Sequence, residues 1–274
     1  MLSTFMREVY DRLSRQGRVC QCQRNGVNGI SGDCVRCHHD TYHGTYDSSV
    51  YGCDNFVRTY ILRYMAAHVC MAQYSMENTP ALAERLHSRT HIRMVSLGGA
   101  YGNETIALLD LVHRSNIPAR VTAFSVDRAV TWEGYHDWMV PRFCELCGIR
   151  NCTARFVKAD VTSPANRIGA DVVFVPWILS EPYAKAYQLR ILENAVKLAS
   201  DDGFVIVMDR AEDAPFGVVD GLLDKLQGVD ILDVADCICR PIYVEIPANI
   251  LNEYNPKRWF RTSYRVIRKA AQAA

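Results

Sequence analysis

No stretch of the 274 residues comes near the roughly 18 consecutive apolar positions that a membrane-spanning helix needs. A secretory leader is not expected either, because Met1–Tyr10 carries Arg7 and Glu8 where an unbroken apolar run would sit. Charge of one sign is lacking: 31 Lys and Arg stand against 30 Asp and Glu, and a net charge of +1 argues neither for nor against a polyanionic partner. Internal repeats and low-complexity tracts are missing too, so no repeat architecture is expected. Cysteine, by contrast, is plentiful at 11. Without an export signal, that number points to a reducing compartment where thiols stay reduced or bind metal, hence to an intracellular protein, cytoplasmic or nuclear.

Hydrophobic residues make up 49% of the chain and charged residues 22%. That composition can bury a sizeable core, and the length suits one large α/β domain with an accessory segment. The division is expected as residues 1–78, a helical segment with a cysteine module over 20–53, and residues 79–274. Leu2, Phe5, Met6, Val9, Tyr10 and Leu13 recur at helical spacing over residues 2–15. Asp54 is placed to cap a long helix lined by Phe56, Tyr60, Ile61, Tyr64, Met65 and Val69, and a short helix over Ala81–His87 follows. From residue 92 the chain alternates. Strand-like runs at 92–97, 120–126, 154–159, 171–176 and 203–208 are separated by helical runs, the pattern of a parallel sheet covered on both faces. The tail breaks that rhythm: β-like segments at 231–246 and 259–268 are joined by a loop without a crossover helix, so they should pair antiparallel.

The stretch that organises the chain is Ile92–Glu104, a short apolar strand running into Gly98, Gly99 and Gly102 and then into a helix. Glycines let a backbone approach a ligand, and unpaired N–H groups at a helix start attract polar oxygens. Spacing decides which ligand. A dinucleotide fingerprint counted from Gly98 needs glycine at 103, where Asn103 stands. The spacing Gly98, Ala100, Gly102 fits a G-x-G-x-G loop with one glycine replaced, which argues against a nicotinamide-dependent oxidoreductase.

This loop, with the terminal hairpin, resembles the class I S-adenosylmethionine-dependent methyltransferases over about residues 90–270. The resemblance implies a Rossmann-like, seven-stranded, mostly parallel sheet with a C-terminal antiparallel hairpin and helices on both faces, preceded by an N-terminal helical, Cys-rich extension. It implies S-adenosylmethionine as cofactor, held by Ser96, Gly98, Gly99, Ala100, Gly102 and Glu104 at its methionine end. Asp127 with Arg128 closes the second strand, where the family places an acid for the ribose hydroxyls. Asp160 with Val161 follows the third strand, near the family's adenine site, and Pro176 and Trp177 follow the fourth. Two departures stand out: Ser96 replaces the acid that many members place there to orient the methionine ammonium, and Ala100 replaces the middle glycine. They motivate a second reading, a catalytically inactive binding or scaffold module on the same fold. Val175-Pro176-Trp177 also lacks the Asn/Asp-Pro-Pro-aromatic tetrad of amino-group methyltransferases, so no base or exocyclic amine is assigned as target.

Methyl transfer from a sulfonium relies on alignment more than on a dedicated base. Glu181, Tyr183 and Trp177 are the candidate catalytic residues, Glu181 to take a proton or hold a cationic nitrogen and Tyr183 to orient an acceptor. Cys20, Cys22, Cys34 and Cys37 are candidate ligands of a structural Zn2+, with His38 or Cys53 as substitutes. Tyr42, Tyr46 and Tyr51 lie in a loop that could cover the site. Cys144, Cys147 and Cys152 are expected to be packing groups, as are Cys237 and Cys239. Lys257, Arg258, Arg261, Arg265, Arg268 and Lys269, without an acid among them, suggest a basic stripe for RNA or another polyanion, or simply a solvated edge. The methyl acceptor is left among RNA, protein and small molecule, the first two slightly ahead.

Overall fold

The computed structural model describes residues 1–15, 34–35, 37–38, 48–163, 166–181, 184–210, 216–226 and 228–270, without the side chains of residues 48, 49 and 218. Eight α-helices lie among the described residues: α1 (Leu2–Ser14), α2 (Asp54–Glu77), α3 (Pro80–His87), α4 (Asn103–Arg114), α5 (Thr131–Cys147), α6 (Gln188–Leu198), α7 (Phe216–Leu223) and α8 (Ala248–Tyr254). The strands are β1 (His91–Leu97), β2 (Arg120–Asp127), β3 (Cys152–Lys158), β4 (Ala170–Pro176), β5 (Ala199–Arg210), β6 (Val229–Pro241) and β7 (Trp259–Lys269). They form one seven-stranded sheet in the order β3-β2-β1-β4-β5-β7-β6. β1 to β5 run parallel, and β7 is antiparallel to both β5 and β6.

Why the sheet is covered on both faces is written in β4. Every residue of Ala-Asp-Val-Val-Phe-Val-Pro is buried, as a strand needs to be when helices lie above and below it. Successive side chains point to opposite faces, so Val172 and Phe174 join the core shared by α1 to α5 and α8, while Val173 and Val175 join the one under α6 and α7. Registers bring the strand ends level: Ser96 lies opposite Ser125 of β2 and Phe174 of β4. The crevice where functional groups gather is thus at the carboxyl edge of β1, β2 and β4.

The two N-terminal helices share the first of these cores. Phe5 meets Phe143 edge-on at 5.1 Å, and Arg142 clasps Glu8 through two nitrogens at 2.8 and 2.9 Å. The buried Arg58 of α2 donates to the Leu13 carbonyl at 2.9 Å, so the last turn of α1 gains a partner. Gln73 donates to the buried Asp110 at 2.7 Å, joining α2 to α4.

Several boundaries differ from the periodicity reading. The β6–β7 connection contains α8, which the loop assignment missed, because Ile250 and Tyr254, one turn apart, are both buried. β6 stops at Pro241 rather than 246, since proline offers no N–H to continue the ladder. The α6 region opens with a 3-10 turn, Lys185–Tyr187, before the α-helix begins at Gln188. Cys237 and Cys239 are exposed rather than packed, with Cys237 at φ +52° in an irregularity of β6 between Ala235 and Ile238. The basic tail is not a free stripe. Arg265 is buried and ion-paired to Asp220 at 2.7 Å and Asp236 at 2.8 Å. Arg268 meets Asp230 at 3.1 Å, and Lys269 donates to the Ala199 carbonyl at 3.0 Å.

Candidate active site

The glycine loop leaves β1 through hydrogen bonds from the Gly98 and Gly99 amides to the Val126 carbonyl at 2.7 and 3.3 Å. Its shape needs glycine for two separate reasons. At Gly102, which starts α4, φ is +92°, and a Cβ would lie 2.8 Å from Val140 Cγ2. At Gly99 a Cβ would lie 2.7 Å from that of Ser96, so the loop sits directly on the β1 end. Ala100 stands between them at φ +40°, a left-handed conformation that costs an alanine about 1 kcal/mol. The substitution seen in the sequence is accommodated as local strain, and Ala100 still lines the cavity.

Asp127 closes β2 beside this bend. Its carboxylate accepts the Ala129 amide at 2.9 Å and is also approached by the backbone amide of Ala100. Burial pushes its titration up from 3.8 to about 6, against those amides and Arg128, which pull it down. On the far side, Trp177 leaves β4 at φ +49° and donates its amide to the Met208 carbonyl at 2.7 Å. Its ring stacks on His68 of α2, centroids 3.8 Å apart and planes within 15°. Burial, with Arg210 adding to it, lowers His68 to about 3, so the imidazole is neutral at ordinary pH. The next turn is pinned by Asp209, which accepts the Ser180 amide at 2.9 Å.

One cavity gathers these groups: Gly98, Ala100, Glu104, Asp127, Arg128, Pro176, Trp177 and Glu181, together with Tyr51, Tyr60, His68, Asn103, Ala129, Trp132 and Ile178. Its volume is about 80 Å3, and it opens to solvent. The rings of Tyr51, Tyr60 and Trp132 lie 5.5 to 6.1 Å from one another and make an aromatic wall. Glu104, in the first turn of α4, is 1% exposed. Its Oε2 accepts the Ser96 hydroxyl at 2.9 Å, and its Oε1 is buried without a hydrogen-bond partner.

Other sequence candidates stand apart from the cavity lining. Ser96 is buried behind Glu104. Asp160 folds onto its own turn, accepting the amide and hydroxyl of Thr162, each at 2.8 Å. Val161 is buried in the core under α6. Tyr183 lies outside the described residues, as do Cys20, Cys22, Tyr42 and Tyr46. Of the remaining thiols of the proposed zinc set, Cys34 is buried and Cys37 half-buried, and His38 stacks its ring on Phe56 at 4.9 Å. Among the described residues no group of three or more His, Cys, Asp or Glu is placed to hold a metal ion. No described helix is long and apolar enough to cross a membrane.

Sequence reasoning set Tyr51 in a loop that could cover the site but missed His68, Asn103, Tyr60 and Trp132. Tyr60, Tyr64 and His68 are spaced one turn apart on α2, and that regular run of rings was the available signal. It reads equally well as core packing until β4 is seen to deliver Trp177 against it.

No protein-family model matches the chain, and no curated protein matches it in sequence. Solved structures match it in fold. Magnesium protoporphyrin IX methyltransferase from Synechocystis, with bound SAM, superposes with a TM-score of 0.50, covering 89% of this chain and 100% of that one at 13% identity. Precorrin-6y C5,15-methyltransferase from Geobacter metallireducens does so at 0.42, covering 68% and 85% at 15% identity. An rRNA methylase from Streptococcus thermophilus follows at 0.43, covering 71% and 95% at 14% identity.

Proposed function

From a chain with the class I S-adenosylmethionine-dependent methyltransferase fold, we propose a methyltransferase that uses S-adenosylmethionine and methylates an acceptor entering beside Trp177 and Glu181. The observation that carries this reading is the convergence of Asp127, the Gly98–Ala100 bend and Glu104 on one cavity walled by aromatic rings. Bound there, the cofactor supplies an electrophilic methyl group on a sulfonium.

The chain's residues have tasks that suit it. Asp127, once ionised, accepts hydrogen bonds from a pair of sugar hydroxyls. The bend lets backbone approach the ligand without side chains in the way. Tyr51, Tyr60, Trp132 and Trp177 present ring faces, which attract a cation. His68, held neutral, adds no positive charge to repel one. Glu181 stands at the cavity wall on the turn after β4, placed to accept a proton from an acceptor or to hold its charge. The 3-10 turn Ser48–Gly52 contributes Tyr51 to the lining of the site, and α2 contributes Tyr60 and His68. Arg265 and Arg268 of the basic tail are spent on Asp220, Asp236 and Asp230, which weakens the case for a polyanionic acceptor.

Calorimetry with S-adenosylmethionine and S-adenosylhomocysteine tests the reading. Binding of both is expected, weakened at least about tenfold by Asp127→Asn. No heat from either ligand at high protein concentration sinks it. Binding without any methyl transfer from labelled cofactor to cell-extract protein, RNA or metabolites favours the scaffold reading, which Ser96 and the strained Ala100 motivate.

A further inference from the structure

Parallel strands of one sheet are joined by crossovers that usually carry a helix, and that helix covers the sheet face it crosses. The β3–β4 connection, residues 159–169, contains no helix among its described residues. It leans instead towards α6. Val161 sinks into the core there, and Asn194 of α6 donates to the carbonyls of Val161 and Ser163, each at 2.8 Å. α6 itself packs on β4 and β5. Over β2 and β3, the side of the sheet that Val95 shares with α6 is therefore left without its crossover helix. The registers name that face: Thr122, Phe124 and Val126 of β2 beside Thr153, Arg155 and Val157 of β3. Arg155 is exposed and the others are half-buried, whereas β4 is buried throughout.

Charge on this face has one sign. Arg93 and Arg120 are exposed on it together with Arg155, and no acid occupies a position of this face on β1, β2 or β3. Burial, followed by the charges of Arg93 and Arg120, holds the His91 imidazole below its usual titration, so both guanidinium groups bear on one spot. Asp171, on the neighbouring β4, is buried and already held by the Arg89 side chain at 2.7 Å and the Arg93 amide at 2.9 Å. The slot is thus cationic towards the strand starts and apolar towards their ends, where Phe124, Val126 and Val157 sit. A helix laid here as crossover helices lie, antiparallel to the strands, brings its negative end over the arginines and an apolar stripe onto those three side chains. Valines give a nucleic-acid base nothing to stack on, and like charge disfavours a second copy of the same face.

We propose that this face of β2 and β3 is a docking surface for an amphipathic helix of a partner protein, apolar along one stripe and acidic beside it, seated where a crossover helix would lie. Docking there requires nothing of the cofactor site.

Amide NMR spectra of the full chain are recorded with a designed helix of about five turns, leucine on one face and glutamate flanking it, with its twin carrying lysine for glutamate, and with a uridine oligonucleotide. The glutamate helix should shift the amides of Phe124, Thr153 and Arg155, with affinity lowered at least about tenfold by Arg155→Glu and by Arg93→Glu. Arg155→Lys, which keeps the charge, should lose no more than about threefold. The same spectra show whether each exposed substitution leaves the fold intact. No shift on β2 or β3 with about 1 mM glutamate helix, or equal binding of the lysine helix, overturns the proposal. So does tighter binding of the oligonucleotide to the same amides, which would make this a nucleic-acid surface. A dimer in sedimentation that Arg155→Glu dissolves overturns it too, since the occupant would then be a second copy.

Discussion

Replacing Glu104 by glutamine should make the protein more stable at alkaline pH, and the amount follows from the burial of that side chain. Burial raises its titration from 4.5 to about 7, opposed by its own amide and by Ser96. Between those two values the folded chain keeps a proton that the unfolded chain has released, so stability falls as pH rises through this window and levels off above it. A displacement of that size is worth about 3 kcal/mol in the fully ionised state. Glutamine has nearly the same shape, can still meet the Ser96 hydroxyl, and carries no charge. Thermal unfolding of wild type and Glu104→Gln, measured from pH 4 to pH 8.5 without ligand, should therefore give curves that coincide at the acid end. They should diverge to about 6 °C in favour of the variant above pH 7, taking roughly 2 °C per kcal/mol for a chain of this size. Other buried groups are shifted too: Asp127 is raised to about 6, Asp209 is raised, and His68 and His136 are lowered. They act on both proteins alike and cancel in the difference. Parallel curves, or a variant less stable at pH 8, refute the claim that this carboxylate is buried without a counter-charge.

Affinity for S-adenosylhomocysteine should rise between about pH 5 and 7 and then level, because Asp127 binds in its ionised form; a profile flat across that range, by calorimetry, counts against that role. Asp127→Asn should weaken S-adenosylhomocysteine and methylthioadenosine equally, since both ligands carry the ribose. Gly102→Ala should cost about 2 kcal/mol or more, read as a fall of several degrees in Tm, because the new methyl meets Val140 at 2.8 Å in a left-handed backbone. Ala100→Gly should do the opposite, raising Tm by about a degree. Trp177→Ala should expose the His68 ring and raise its titration towards neutrality, visible in the pH dependence of its ring proton resonances.

The sheet was legible because its signals are local. Val172–Pro176 of β4 reads as one apolar run, Gly98 and Gly102 bracket a turn, and strand ends at Asp127 and Pro176 fall where the parallel registers put them. The half of the site on β-strand ends was legible for the same reason. What hid the other half is that α2 is buried on nearly every side, so Tyr60 and His68 cannot be told from their core neighbours by spacing. Only the arrival of Trp177 over His68 distinguishes them. Asp160 shows the reverse failure: an acid after a strand matches both a ligand contact and a capped turn, and Thr162, two residues on, drew it into the turn. Arg265 looked like surface charge because its partners, Asp220 and Asp236, come from an intervening helix and an edge strand.

The position of β7 has a consequence for how the chain is made. Last of the strands in sequence, it nevertheless occupies an interior slot, with β5 on one flank and β6 on the other. Ribosomal output therefore leaves β5 with a bare edge, and β6 with no neighbour at all, until Trp259–Lys269 has emerged to slip between them. During that interval two unsealed backbone borders are exposed to other nascent chains. Its three aspartates, Asp230, Asp233 and Asp236, are met by Arg268, Tyr264 and Arg265 only once β7 has arrived.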